Sequence, residues 1–147
     1  MKQIHEIRLS VFCKEFENEK EILDKLYSFF PFEIKKQFKR ETATGLLDKP
    51  IRIFQAVLIK NKEINLFIKD LFQKLSKEQK ELLIAQLDSR LDNGLHFFMR
   101  FDKDKLLRDN ILGITDDGNC YHLKMSIAAF PKKREVAKKI IMQILNM

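Results

Sequence analysis

The stretch that decides the fold is YHLKMSI at residues 121–127, followed directly by AAFPKKREVAKKIIMQIL at residues 128–145. The first part alternates apolar and polar residues, which is the period of a strand with one buried face. In the second part, apolar residues recur at helical spacing after Pro131, a residue type favoured in the first turn of a helix. The stretch therefore predicts a last strand, then a terminal helix that begins at Pro131. Its inward side chains are expected to be Val136, Ala137, Ile140, Ile141, Ile144 and Leu145.

Four more strands are expected upstream of this stretch. His5–Val11 and Leu95–Asp102 alternate in the same way. Lys35–Thr44 and Ile51–Lys60 are also predicted to be strands, the second of them rich in β-forming residues. A turn at Gly45–Pro50 is expected to join these two strands.

Two helical regions lie between the predicted strands. Asn18 with Glu21 predicts a capping box and a first helix, which Pro31 ends. Asn61–Leu75 has helical apolar spacing, and a second capping box at Ser76 and Gln79 starts another helix. That helix is expected to run until Asn93-Gly94. The expected buried residues of the first helix are Ile22, Leu23, Leu26, Phe29 and Phe30, and the helix from Ser76 is traced through Leu82, Leu83, Ala85, Leu87 and Leu91.

The resulting element order is β-α-β-β-α-α-β-β-α. It favours an α+β fold, with a single antiparallel or mixed sheet and helices packed on one face. The chain has 147 residues, the size of one ordinary domain, and shows neither a repeat nor a linker. We therefore predict one domain over residues 1–147.

Charge is distributed unevenly along the chain. The net charge is +7, and residues 31–60 (7 basic, 3 acidic) and 119–147 (6 basic, 1 acidic) carry most of the excess. Codon usage or a hot habitat could also enrich lysine, but either would spread it evenly. An acidic partner such as nucleic acid is expected. The chain has no apolar run of membrane-spanning length, no leader-like start and only two cysteines, so a cytoplasmic location is expected.

No catalytic or metal-binding motif is found. The histidines His5, His96 and His122 fall on three different predicted strands, without ligand spacing. Cys13 and Cys120 are interpreted as core or edge residues. The run from Asp116 to Asn119 is typical of a turn, and no glycine-rich phosphate loop is present. We expect no enzyme activity, no cofactor and no metal.

Three clusters of basic residues give a stronger indication of function than any catalytic or metal-binding pattern. They comprise Lys35, Lys36, Lys39 and Arg40; Arg100, Lys103, Lys105 and Arg108; and Lys132, Lys133 and Arg134. For each cluster the alternative is an ordinary solvated surface. The last cluster is unusual because it places three cations at the start of the terminal helix, where the helix dipole favours anions. A phosphate bound by all three would relieve the conflict, so reversing their charges should remove RNA binding and leave the fold intact.

The polar faces of the last two predicted strands also favour RNA binding. If the core faces are assigned correctly, the opposite faces carry His96, Phe98, Arg100, His122, Lys124 and Ser126. Aromatic and basic groups together on an open sheet face suit single-stranded or structured RNA, through stacking and phosphate contact.

The segments Arg100–Lys103 (RFDK) and Gly118–Glu135, which contains IAAFPKKRE, resemble an archaeal family of RNA-binding proteins proposed to be associated with the exosome. The resemblance is collinear over nearly the whole chain. It implies an α+β fold like that of the ribosomal protein that binds 5S rRNA, and an RNA-binding role without catalysis.

The leading hypothesis is thus a non-catalytic RNA-binding protein, acting in RNA processing or ribosome biogenesis. The predicted RNA-binding residues are Arg100, Lys103, Lys124, Lys132, Lys133, Arg134, Lys36, Lys39 and Arg40. A protein-interaction subunit that docks an acidic protein is the alternative, and an exposed apolar patch supplied by Phe98 or Phe32 would favour it. The third hypothesis is a small enzyme. A pocket with convergent carboxylates or histidines would support it.

Overall fold

The computed structural model describes residues 2–44 and 49–147. Over these ranges the chain forms five strands and six helices. They are β1 (Ile4–Lys14), α1 (Glu19–Ser28), β2 (Phe38–Thr44), β3 (Pro50–Leu58), α2 (Asn61–Lys74), α3 (Lys77–Ala85), α4 (Leu87–Arg90), β4 (His96–Asp102), α5 (Lys103–Asp109), β5 (Cys120–Ile127) and α6 (Arg134–Leu145).

The strands form a single antiparallel sheet in the order β2-β3-β1-β5-β4, which does not close into a barrel. The predicted α+β class is confirmed. The turn expected at Gly45–Pro50 falls mostly outside the described residues. None of the helices in the described ranges has the length and hydropathy that a membrane span requires.

The chain divides into two compact units. Unit 1 comprises Met1–Ile7, Leu58–Met99 and Lys124–Met147. Unit 2 comprises Arg8–Val57 and Arg100–Leu123. One domain over residues 1–147 stays a prediction.

Burial alternates along the strands as the sequence predicts. Leu95, Phe97, Met99 and Phe101 are buried, and the residues between them are half-buried. The same alternation runs from Tyr121 to Ile127. Strands with one covered face produce this pattern because successive side chains point to opposite sides of the sheet.

In unit 1, α6 contacts α2 and α3, and α3 contacts α4. The predicted capping box is present: the Ser76 hydroxyl accepts from the Gln79 N–H, and the Gln79 side chain accepts from the Ser76 N–H. The apolar face of α2 is fully covered. Its buried residues are Ile64, Phe67, Ile68, Leu71 and Phe72.

The single helix expected from Ser76 to Leu91 is wrong. The chain breaks at Gln86, which ends α3 and precedes the short α4. Arg90 of α4 is only 8% exposed, and its guanidinium donates to the Gln86 side chain and to the Phe98 carbonyl. A buried arginine needs such acceptors, and the sequence pattern does not show them.

In unit 2, α1 contacts α5. Asn18 caps α1 by accepting from the Glu21 N–H, as predicted. The Phe29 ring lies 5.6 Å from Phe101 and 5.4 Å from Tyr121, measured between centroids. The buried Tyr121 hydroxyl donates to the Ile22 carbonyl at 2.7 Å. Burial raises the pKa of that hydroxyl, so it stays a donor.

Unit 2 differs from the prediction in the start of strand β2 and in an additional helix, α5. Strand β2 begins at Phe38 rather than Lys35, because the Phe38 N–H bonds to the Lys35 carbonyl in a turn. Helix α5 was not predicted. Its buried residues are Lys103 and Leu106, and a buried lysine gives no apolar spacing to detect.

Candidate nucleic-acid interface

The predicted RNA-binding residues fall into both units. Unit 1 contains Lys124, Lys132, Lys133 and Arg134. Unit 2 contains Lys36, Lys39, Arg40, Arg100 and Lys103.

The segment from Ala128 to Lys133, here called the β5–α6 segment, is held at its start by backbone hydrogen bonds. The Ile127 N–H donates to the Leu95 carbonyl at 3.0 Å. The Ala128 N–H donates to the Gln3 carbonyl at 2.8 Å. The segment therefore leaves the sheet from a defined position.

Arg134 holds the other end of this segment. Its guanidinium donates to the Leu91 carbonyl at 2.8 Å and to the Asp88 carbonyl at 2.7 Å. It also lies 3.6 Å from the Asp88 carboxylate, to which Lys138 donates. The Lys138 hydrogen bond, with smaller contributions from the charges of Lys138 and Arg134, lowers the pKa of that carboxyl below its usual value of 3.8. Arg134 is thus bound by protein groups.

This arrangement corrects the expected start of the helix. Pro131 is not in the first turn: α6 begins at Arg134, with Lys133 at the N-cap, and the Phe130–Pro131 peptide is cis. The three cations do not converge on one anion, because the Arg134 guanidinium faces the carbonyls of Leu91 and Asp88.

Lys132 and Lys133 differ from Arg134. Both side chains are exposed, and neither forms an ion pair with any residue that the structure describes. The Lys133 side chain makes no capping hydrogen bond. Two positive charges therefore project from a segment whose backbone is held at both ends.

Phe130 lies two residues before Lys132, with Pro131 between them, and is 94% exposed. Phe130 is part of the IAAFPKKRE motif, but the sequence predicted no role for it. Its position in the sequence could have indicated that its side chain is exposed. Phe130 lies after the alternating residues of β5 have ended and directly before a proline. No inward-facing position of a strand or helix is predicted there.

Lys124 lies on β5 and is half-buried, as are His96, Phe98 and Ser126 of the same unit. The His96 and Phe98 ring centroids are 6.3 Å apart. His96 Nδ1 lies 3.0 Å from an Asp92 carboxylate oxygen. Burial alone would raise the pKa of Asp92, but hydrogen bonds from His96 outweigh it and lower the pKa. His96 is therefore tied to a structural partner.

In unit 2, the RFDK tetrapeptide of residues 100–103 makes the junction between β4 and α5. Arg100 donates to the Asp116 carbonyl at 2.9 Å, and Phe101 is buried. Asp102 caps α5 by accepting from the Lys105 N–H at 2.9 Å. These three residues all have contacts that build the junction.

Lys103 is buried, with 2% of its side chain exposed. Its ammonium donates to the Phe12 carbonyl at 2.6 Å and to the Glu17 carboxylate at 2.9 Å. Lys103 was predicted to be among the RNA-binding residues, but the structure places its charge inside unit 2. It is not part of the exposed basic surface.

The other predicted RNA-binding residues of unit 2 lie on or before β2. Lys36 and Lys39 are exposed, and Lys39 is paired with Gln55 across the β2–β3 ladder. Arg40 lies 5.2 Å above the Phe54 ring and 3.3 Å from the Glu19 carboxylate. Lys36 and Lys39 are thus available to a ligand, whereas Arg40 is partly engaged.

Exposed apolar side chains also occur in unit 2, near the end of β1. Phe12 is 53% exposed and Phe16 is 85% exposed. Phe32 and Phe98, from which an apolar patch was expected, are instead half-buried. The rings that a partner could reach are therefore different ones.

Unit 1 contains a groove of about 550 Å³. Its lining residues are Gln3, Ile4, Asn65, Ile68, Lys69, Phe72, Gln73 and Met147. Neither a carboxylate side chain nor a histidine lines it, so the groove has no acid–base pair of the usual kind. Within residues 2–44 and 49–147, no cluster of three or more His, Cys, Asp or Glu residues could hold a metal ion.

Comparison with known proteins adds to this geometry. Residues 6–128, most of the chain, match the family model described as RNA binding. The chain belongs to this RNA-binding family. The match ends before Lys132 and Lys133, so it does not include these two lysines.

The chain is also similar to a curated relative and to solved structures. The RNA-binding protein PAB1135 of Pyrococcus abyssi is 27% identical over 98% of this chain and 95% of its own length. Protein Mth689 of Methanothermobacter thermautotrophicus, a DUF54 protein, is 26% identical with a TM-score of 0.78, covering 98% of this chain and 99% of its own. Protein AF2318 of Archaeoglobus fulgidus is 24% identical with a TM-score of 0.86, covering 96% and 99%, and shows the shared fold. These three similar proteins are archaeal.

Proposed function

We propose that this protein is a non-catalytic RNA-binding protein and that Lys132 and Lys133 contact RNA phosphates. The observation that carries the proposal is the pair of exposed ammonium groups on the β5–α6 segment. Family membership supports RNA as the ligand. Lys36 and Lys39 supply a second exposed basic group in unit 2.

The absence of a catalytic role is part of this proposal. The curated relative is named an RNA-binding protein, and the groove in unit 1 is lined by amides, apolar side chains and Lys69 rather than by acid–base groups. We further propose that the protein works in the cytoplasm, in RNA processing with the exosome or in ribosome biogenesis. Recovery of exosome subunits or of pre-ribosomal RNA with the tagged protein from native cells would separate these two settings.

The test of RNA binding uses the dependence of affinity on salt. Each phosphate contact releases condensed counterions, so the log–log slope of affinity against salt changes by roughly 0.7 to 0.9 for each contact. Replacing both lysines by glutamine (K132Q/K133Q) should weaken binding and make the slope shallower by about twice that amount. Fluorescence anisotropy of a labelled RNA at several salt concentrations measures both quantities.

The matched control is K62Q/K77Q. Lys62 and Lys77 are exposed lysines of the same unit, and their replacement removes the same total charge. We expect this control to weaken binding far less. Equal losses in both double variants would show that only net charge matters, and absence of RNA binding by the wild-type protein at low salt would contradict the proposed function.

A protein-interaction role is the second candidate, in which a basic surface docks an acidic protein. The exposed rings of Phe12 and Phe16 favour it, because exposed aromatic side chains are enriched at protein interfaces. Its test is capture from an RNase-treated lysate. An acidic protein retained by the wild-type chain and lost with F12A/F16A would support this role.

A further inference from the structure

Phe130 is the most exposed of the large apolar side chains in the described chain, at 94%. Single exposed apolar residues are common and need no explanation by themselves. Phe130 differs in its surroundings. Its ring is carried by a segment whose backbone is held on both sides, and two exposed lysines follow it by two and three positions along the chain.

Four hydrogen bonds hold the chain on the two sides of Phe130. Before Phe130, the Ala128 N–H donates to the Gln3 carbonyl at 2.8 Å. After it, the Lys133 N–H donates to the Pro131 carbonyl at 2.8 Å. The Arg134 guanidinium donates to the Leu91 and Asp88 carbonyls. An aromatic ring on a fixed backbone loses less conformational entropy when it binds a ligand than one on a mobile loop.

The neighbours of the ring also leave it accessible. Ala128 and Ala129, on its N-terminal side, carry only methyl groups. Lys132 and Lys133, two and three positions later, are exposed and make no ion pair with a described residue. An aromatic ring beside cations is the combination by which proteins bind single-stranded nucleic acid, with a base on the ring and phosphates on the cations.

We propose that Phe130 stacks on an unpaired RNA base while Lys132 and Lys133 hold the neighbouring phosphates. The inference rests on the proposed function and narrows its ligand to RNA with unpaired nucleotides. In a duplex each base already stacks on its neighbours, so its faces are closed to a protein ring. The lysines bind phosphate in either form, but the ring distinguishes unpaired from paired RNA.

The experiment exploits the absence of tryptophan from the sequence. Phe130→Trp makes the only indole in the protein, at the proposed contact. The probes are an oligouridylate of about 12 nucleotides, within the range of known single-strand sites, and a blunt RNA duplex of the same length. We expect the oligouridylate to quench the indole fluorescence and the duplex to leave it nearly unchanged.

Affinity provides the second measurement. Phe130→Ala should weaken oligouridylate binding by roughly 5- to 150-fold, the range found for loss of one base–aromatic stack. Its salt slope should be that of the wild-type protein, because stacking releases no counterions. Phe130→Leu keeps an apolar side chain without a π face and should behave like Phe130→Ala. Binding of the duplex should change little in either variant.

Phe16 is the matched control. It is 85% exposed and belongs to unit 2. Phe16→Ala should bind oligouridylate like the wild-type protein, and the indole of Phe16→Trp should not be quenched. An equal loss with Phe16→Ala would overturn the assignment of the stack to Phe130.

The outcomes distinguish this inference from the proposed function. If K132Q/K133Q weakens binding but Phe130→Ala does not, RNA binding stands and the stacking contact is overturned. Equal losses for oligouridylate and duplex in Phe130→Ala also overturn it. If the wild-type protein binds neither RNA, both proposals fall. Should Phe130→Ala fail to fold, an unquenched indole in Phe130→Trp overturns the stack.

Discussion

The Lys103 ammonium donates to the Glu17 carboxylate at 2.9 Å, although 86 residues separate them along the chain. The same carboxylate accepts from the Lys14 N–H at 2.9 Å, and Lys103 also bonds to the Phe12 carbonyl. One buried side chain therefore orders the loop between β1 and α1. This relationship makes Lys103 part of the scaffold of unit 2.

Loss of this lysine should destabilise the protein. Replacing Lys103 by methionine (K103M) removes the ammonium donor from the Phe12 carbonyl and leaves the Glu17 carboxylate with only the Lys14 N–H. We expect the free energy of unfolding to fall by about 3 kcal/mol, the low end for breaking a buried pair, because Glu17 keeps some contact with solvent. Urea denaturation measures it. The control is K105M on the same helix, because Lys105 is exposed. An equal fall in the free energy of unfolding for K105M would show that the buried contacts of Lys103 are not the cause.

The Glu17 carboxyl should also contribute to acid sensitivity. Burial alone would raise its pKa, but hydrogen bonds from Lys103 and the Lys14 N–H, with the Lys103 charge, lower it below the usual value of 4.5. A lowered folded-state pKa stabilises the protein above the unfolded-state pKa, and this contribution is lost as the pH falls through the folded-state value. The stability difference between wild type and Glu17→Gln should therefore be constant above about pH 5.5 and shrink below 4.5. A difference that persists unchanged in strong acid would refute this.

Substitution of Arg134 should lower the stability of the fold, whereas substitution of Lys132 and Lys133 should not. Arg134→Ala removes two charge-assisted hydrogen bonds to carbonyls, and we expect a loss of about 1–2 kcal/mol in unfolding free energy, since the side chain is about one-third exposed. K132E/K133E should leave stability within about 0.5 kcal/mol. Adding R134E should destabilise the fold, contrary to the expectation from sequence that all three reversals are tolerated. Thermal melting of the three variants provides the comparison.

Metal removal should have no effect. The described residues contain no cluster that could hold a metal ion. Dialysis against EDTA is therefore expected to leave the circular dichroism spectrum and the affinity for RNA unchanged. A fall in either, restored by a divalent cation, would reveal a site that the present geometry does not contain.

The strands were predictable where one face is covered. Alternation located β1, β4 and β5 because their inward positions are almost fully buried. The start of β2 was misplaced because Phe38–Thr44 is mostly exposed and gives a weak alternation signal. The break at Gln86 and the helix α5 were missed because their buried residues include Arg90 and Lys103, which apolar periodicity cannot detect.

The candidate site was predictable in composition but not in geometry. Sequence reasoning identified Lys132, Lys133 and Arg134 as one basic cluster. It could not show that Arg134 faces the carbonyls of Leu91 and Asp88, since those acceptors belong to a distant segment. Lys103 was grouped with exposed lysines for the same reason, because burial depends on a partner 86 residues away.

The strand order has a consequence for the synthesis of the chain. The first strand made, β1, lies in the interior of the sheet between β3 and β5, and β5 ends only at Ile127. A nascent chain that has emerged from the ribosome through β4 still lacks β5, which separates β4 from β1 in the sheet. One long edge of β1 is therefore unpaired through most of translation. Such an edge can pair with other chains, and we expect the ordered sheet to form late, after nearly all of the protein has left the exit tunnel.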